Sequence, residues 1–209
     1  MLEGAAQCAL EVREEDGETK LSGSFPYNST ATLSDGGRRG RPRKEKFAPG
    51  AFEYRVNEPE VEINLLVGHD FGKPLASKLS DTLTLRDTPE ALTFEAIILK
   101  AIRETQHGRD MLAMLTAGLA VGISPGFRIP PERAVEDAEE VTEEPDNGEP
   151  DENGDPQRGA LIRTIKAALL YELSIVTRPA FPDAQVEQRN WQPTAAGNRI
   201  VVPAAYRWR

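Results

Sequence analysis

The sequence predicts a mainly β fold, closed or nearly closed, with a helix or two packed outside it. Two observations carry this. Several short segments alternate apolar and polar residues, or form brief apolar runs bounded by turn residues, as strands do. Only one segment repeats its apolar residues at helical spacing. Several strands, few helices and many turns imply a core built on sheet, with helices covering it.

Taken in order, Ala9–Val12 and Lys20–Phe25 read as a hairpin around Asp16-Gly17. Ser34–Lys46 reads as a loop: it opens with Asp35-Gly36-Gly37 and holds six bases, Arg38, Arg39, Arg41, Arg43, Lys44 and Lys46. Val61–Val67 has the pattern of a buried strand, with Ile63, Leu65 and Val67 on one side and Leu66 on the other. It ends at Gly68-His69-Asp70. Thr82–Arg86 alternates, and Thr88-Pro89-Glu90 turns the chain into a further strand, Ala91–Leu99. Arg103–Thr116 places Met111, Leu112, Met114 and Leu115 at helical spacing, and Gly118 ends that helix. Leu119–Ile129 is extended again. Structure resumes at Leu161, and Leu169–Val176 is a strongly apolar strand closed by Pro179 and Pro182.

Between these last two strands the charge is concentrated. Residues 132–158 hold twelve acids against two bases, a net charge of −10, whereas the whole chain carries −9. The acidity belongs to one segment, and the remainder is close to neutral. A tract this poor in large apolar residues cannot bury enough surface to offset its ordering entropy, so it is expected to be disordered. The other 182 residues suffice for one core. A single cysteine, Cys8, excludes an internal disulfide and fits a reducing compartment. No apolar run reaches the ~20 residues a membrane helix needs. A soluble, intracellular protein without membrane contact is expected.

Few residues can carry chemistry. The chain has two histidines, His69 and His107, and histidine is the usual base for a serine nucleophile. His69 sits where a strand ends, a common place for working residues; its plainer reading is an exposed loop histidine. His107, in a polar helix start, reads as a solvated surface residue. Ser124 lies in Gly122-Ile123-Ser124-Pro125-Gly126-Phe127, where small neighbours leave room for a substrate backbone. Pro125 biases Ser124 toward extended backbone, so this is not the strand–turn–helix nucleophile elbow. The plainer reading is a Gly/Pro loop. Glu172 interrupts an apolar run, where a carboxylate is costly unless paired. It could also face water on an edge strand, sharing one face with Ser174.

No zinc-ligand spacing, phosphate loop or dinucleotide fingerprint occurs, so neither metal nor cofactor is expected. Arg39-Gly40-Arg41-Pro42 resembles an AT-hook, which would place Arg39 and Arg41 in a narrow DNA minor groove. Simple attraction of this basic loop to the acidic tract is the alternative.

Three blocks in order resemble the prohead proteases of tailed phages: Ile63–Asp70 with Lys73-Pro74-Leu75, Gly122–Phe127, and Tyr171–Ala184. Phe47–Phe52 resembles the segment preceding the histidine block. The resemblance spans roughly Leu21 to Ala184. It implies a closed, seven-stranded β-barrel core of the herpesvirus-protease type with surrounding helices. It also implies a serine endopeptidase with Ser124 as nucleophile, His69 as base and Glu172 as the acidic third residue. The expected substrates are scaffolding or major capsid protein and the protease itself, inside the assembling procapsid in the host cytoplasm. An oligomer and a weak DNA contact are further expectations. The protease domain would span residues 1–184, interrupted by the acidic insertion 132–158 and followed by a tail, 185–209. Ser124 and Glu172 lie 48 positions apart, and removing those 27 residues leaves 21, which suits the family better. One departure matters: the residue after Ser124 is Pro125, which has no N–H to offer an oxyanion, so donors must come from Gly126 or a more distant loop.

Overall fold

The computed structural model describes residues 11–15, 18–37, 40–120, 122–146 and 158–181. The expected tail, 185–209, lies outside them, as do 147–157 of the acidic tract. In chain order the elements are β1 (Glu11–Glu15), β2 (Glu18–Pro26), β3 (Ala31–Ser34), β4 (Arg43–Phe47), α1 (Glu53–Asn57), β5 (Asn64–Val67), β6 (Asp70–Ser77), β7 (Leu83–Asp87) and β8 (Ala91–Ile98). There follow α2 (Lys100–Arg103), α3 (Gln106–Thr116), β9 (Gly122–Arg128), β10 (Glu139–Glu143), β11 (Leu161–Ile165) and β12 (Leu169–Val176).

The fold is mainly β with few helices, but the closed barrel is not what forms. The strands make three four-stranded sheets, ordered β1-β2-β8-β7, β10-β11-β4-β3 and β6-β5-β12-β9, and none closes on itself. Side chains join the sheets instead. Phe25 on β2, Phe47 on β4 and Phe127 on β9 come one from each sheet. The Phe25 and Phe47 rings lie 5.4 Å apart, and those of Phe47 and Phe127 4.9 Å, both edge to face. Phe52 and Phe181 fill the same cluster. Such ring pairs add to the area they bury. Period-two alternation says which face of a strand turns inward, not which strand it pairs with, so a barrel and three packed sheets read alike in sequence.

β8 shows the alternation plainly: Leu92, Phe94, Ala96 and Ile98 are buried, and Glu95 is exposed. In β12 the pattern breaks. Its register against β9 shifts between Leu170 and Glu172. This bulge puts Glu172 on the face opposite Leu170, although both numbers are even. Leu170, Leu173 and Ile175 therefore join the core, while Glu172 and Ser174 turn the other way.

Three expectations needed local correction. The loop expected over 34–46 is a strand at Arg43–Phe47, with buried Glu45 ion-paired to Arg163 at 3.1 Å. Within the acidic tract, expected to be disordered over 132–158, residues Glu139–Glu143 form β10, which pairs antiparallel with β11. The helix expected over 103–116 is two pieces. Thr105 is extended and caps the second one, its hydroxyl accepting the Gly108 N–H at 3.1 Å. Gly118, at φ +67°, ends it as expected.

Tyr27 donates its hydroxyl to Asp87 Oδ1 at 2.6 Å, and Asp87 Oδ2 is buried with no partner among the described residues. Burial is the main cause that pushes the Asp87 carboxyl above the usual aspartate range. A raised folded value means the folded state binds this proton more tightly than the unfolded chain. The stability it contributes is full below the unfolded pKa and is lost as pH rises through the folded one. Asp87→Asn should therefore raise the melting temperature at neutral pH, with a gain that shrinks as pH falls. A gain independent of pH, followed by calorimetry, would show that the charge is not the cause.

Candidate active site

The site forms on the sheet β6-β5-β12-β9, on the face turned away from the aromatic cluster. β5 and β6 are joined by the two residues Gly68 and His69, between the paired Val67 and Asp70. Both have positive φ, +60° and +65°, the geometry of a tight hairpin turn whose twist matches its strands. Positive φ is uncommon for histidine, and two contacts to β12 hold it. The Gly68 N–H donates to the Ile175 carbonyl at 3.1 Å, and the His69 N–H donates to Ser174 Oγ at 2.7 Å.

The His69 ring reaches Glu172. Its Nδ1 lies 2.7 Å from Glu172 Oε1. The Glu172 side chain is 2% exposed and that of His69 29%. A carboxylate can only accept, so Nδ1–H donates and the neutral ring keeps Nε2 as an acceptor. The second carboxylate oxygen, Oε2, accepts the Ser174 hydroxyl at 2.6 Å. Both oxygens of this buried acid thus have donors, which offsets a desolvation cost of several kcal/mol. The expectation that an acid in this apolar run needs a partner is met. Its plainer reading, a carboxylate facing water on an edge strand, does not hold, because β12 lies between β5 and β9.

Ser124 is half-buried on β9, directly opposite Ser174 in register. Antiparallel partners share a face, so Ser124, Gly126, Glu172 and Ser174 lie together on one surface. Asn64 and Leu66 of β5 pair with Glu172 and Ser174, and fully buried Leu66 floors the site. Pro125 points the other way. Among the described residues no hydrogen bond joins Ser124 Oγ to the His69 ring; such contacts are often loose before substrate arrives.

Other candidates sit elsewhere. Asp70 is exposed, with Oδ1 accepting the Gly72 N–H at 2.8 Å and Oδ2 3.0 Å from Lys73. These contacts hold its carboxyl below the usual range. His107 is not simply solvated: Nε2 meets the Pro74 carbonyl at 3.0 Å and ties α3 to β6. Arg41 pairs with Asp146 at 3.0 Å and donates to the Gly159 carbonyl at 3.2 Å. Lys44 meets Glu144 at 3.0 Å, and Lys166 meets Glu140 at 2.8 Å. Arg39 lies outside the described residues. No cluster of three or more potential metal ligands occurs among the described residues, and no helix there is long and apolar enough to cross a membrane.

Gly126, read in sequence only as leaving room for a substrate backbone, has another role. A Cβ on Gly126 would lie 1.9 Å from Glu172 Oε1, so only glycine leaves the carboxylate in place. Nothing but the pairing of β9 with β12 reveals this.

Ser124 thus shares one sheet face with the buried carboxylate that holds His69. The family model for caudovirus prohead serine protease matches residues 9–196, and the chain belongs to that family. It is a serine peptidase of phage capsid maturation. No curated protein and no solved structure matches the chain.

Gly126→Ala should push Glu172 off the His69 ring and slow peptide hydrolysis by about 10²-fold, as misplacements of about 1 Å do. Rate and melting temperature measured together check this. An unchanged rate in folded protein would show that the close approach does not matter.

Proposed function

We propose that Ser124 is the nucleophile, His69 the base and Glu172 the residue that orients the base. The observation that carries this reading is the 2.7 Å contact between His69 Nδ1 and a fully buried Glu172, on the same sheet face as Ser124. In this scheme Ser124 Oγ attacks the scissile peptide carbonyl and forms a C–O bond. Its proton passes to His69 Nε2. Glu172 stabilises the resulting imidazolium through Nδ1–H. The imidazolium then gives its proton to the leaving amine as the C–N bond breaks, and water releases the acyl group by the same exchange in reverse.

The substrates we propose are the scaffolding protein or the scaffolding part of the major capsid protein, together with the protease itself. Cleavage would take place inside the procapsid, in the host cytoplasm. Family membership supports the class of substrate. A DNA-binding role for residues 38–46 has less behind it, because Arg41 and Lys44 already meet carboxylates of the acidic tract.

Purified chain incubated with capsid or scaffolding protein tests the reading. Ser124→Ala and His69→Ala should each abolish cleavage, since losing either member disables the pair. His107→Ala should remain active. Glu172→Gln should slow acyl transfer by about 10²–10⁴-fold, and Asp70→Asn far less. Near wild-type cleavage by Ser124→Ala would end the serine assignment. Greater damage from Asp70→Asn than from Glu172→Gln would redraw the site around the hairpin.

A further inference from the structure

We infer that Ser174 is a positioning residue, one that locks the base and its carboxylate partner into a single unit; the inference rests on the triad reading above. Ser174 is 0% exposed, so it cannot meet a substrate carbonyl, although it lies opposite Ser124. Its hydroxyl has one proton. Glu172 Oε2, 2.6 Å away, can only accept, so the proton points there. The lone pairs are then left for the His69 N–H, 2.7 Å away. With the Nδ1–Oε1 contact this closes a ring: His69 main chain to Ser174, Ser174 to Glu172, Glu172 to the imidazole.

The ring does two things that the triad alone does not. It holds His69 in its positive-φ backbone, which aims the imidazole at β12 and not along the hairpin. It also fixes the carboxylate rotation, so that Oε1 and no other atom faces Nδ1. Without the hydroxyl, the buried Glu172 Oε2 loses its donor and the half-buried His69 N–H its acceptor. The carboxylate could then turn, and Nδ1 would no longer be the obligatory donor. The neutral ring would divide between its two tautomers, and only the Nδ1–H form can accept a proton from Ser124.

Two readouts test this, both on the full chain. One is the rate at which a fluorophosphonate phosphonylates the nucleophile, the serine oxygen displacing fluoride from phosphorus. The other is the tautomer of His69, read from ring ¹⁵N shifts. Ser174→Ala should fold, react about 10- to 100-fold more slowly, and show both neutral tautomers where the wild type shows the Nδ1–H form. Ser174→Cys, similar in size with a weaker donor, should fall between. A structural role alone would lower the melting temperature and leave rate and tautomer unchanged in the folded protein; that result overturns the inference. Should Ser174→Ala not fold, wild-type rate and tautomer in Ser174→Cys overturn it equally. Ser124→Ala separates the two levels. If that variant still reacts at the wild-type rate, the triad reading fails and takes this inference with it. If it is silent while Ser174→Ala reacts normally, only the inference fails.

Discussion

Glu172 is a carboxylate placed where water cannot reach it, and much of the site follows from satisfying it. Left alone, such a charge would cost several kcal/mol. The chain meets that demand with two donors, one from a hairpin turn and one from its own strand. The turn can supply an imidazole only because Gly68 and His69 both accept positive φ. The carboxylate fits only because residue 126 has no side chain. The bulge before Glu172 is what turns this acid away from the core that Leu170 enters. Sheet register, turn type and one glycine are thus set by a single buried charge.

Much of this site was legible in sequence, for physical reasons. An acid inside Leu169–Val176 demands a partner, and alternation puts Glu172 and Ser174 on one face. Asp70, the acid next to His69 in sequence, is not its partner. The structure gives Asp70 to Gly72 and Lys73. The requirement for glycine at 126 was not legible, since it depends on pairing between strands more than forty residues apart. The fold followed the same divide. Apolar strands such as Ala91–Ile98 announced themselves. β4 did not, because its Arg-Lys-Glu-Lys run looks like solvated loop until Arg163 is placed beside Glu45. Closure into a barrel was expected, and three separate sheets joined by phenylalanine rings were found.

Residues Glu139–Glu143 of the acidic tract illustrate how local composition can mislead. Its apolar content is too low to build a core, yet β10 needs none. It adds to an existing edge, and its carboxylates meet bases already displayed by the neighbouring chain. Exposed pairs of this kind are individually weak and screened by salt. Backbone pairing with β11 supplies what they lack. The basic stretch that resembles an AT-hook is, at Arg41 and Lys44, one side of this contact.

The central claim is that the buried carboxylate and the histidine it holds serve Ser124. Peptide mapping by mass spectrometry after fluorophosphonate treatment addresses that most directly. The account predicts one adduct, on the peptide carrying Ser124, absent when the protein bears His69→Ala. An adduct on another serine, or equal labelling of Ser124 without His69, would contradict it.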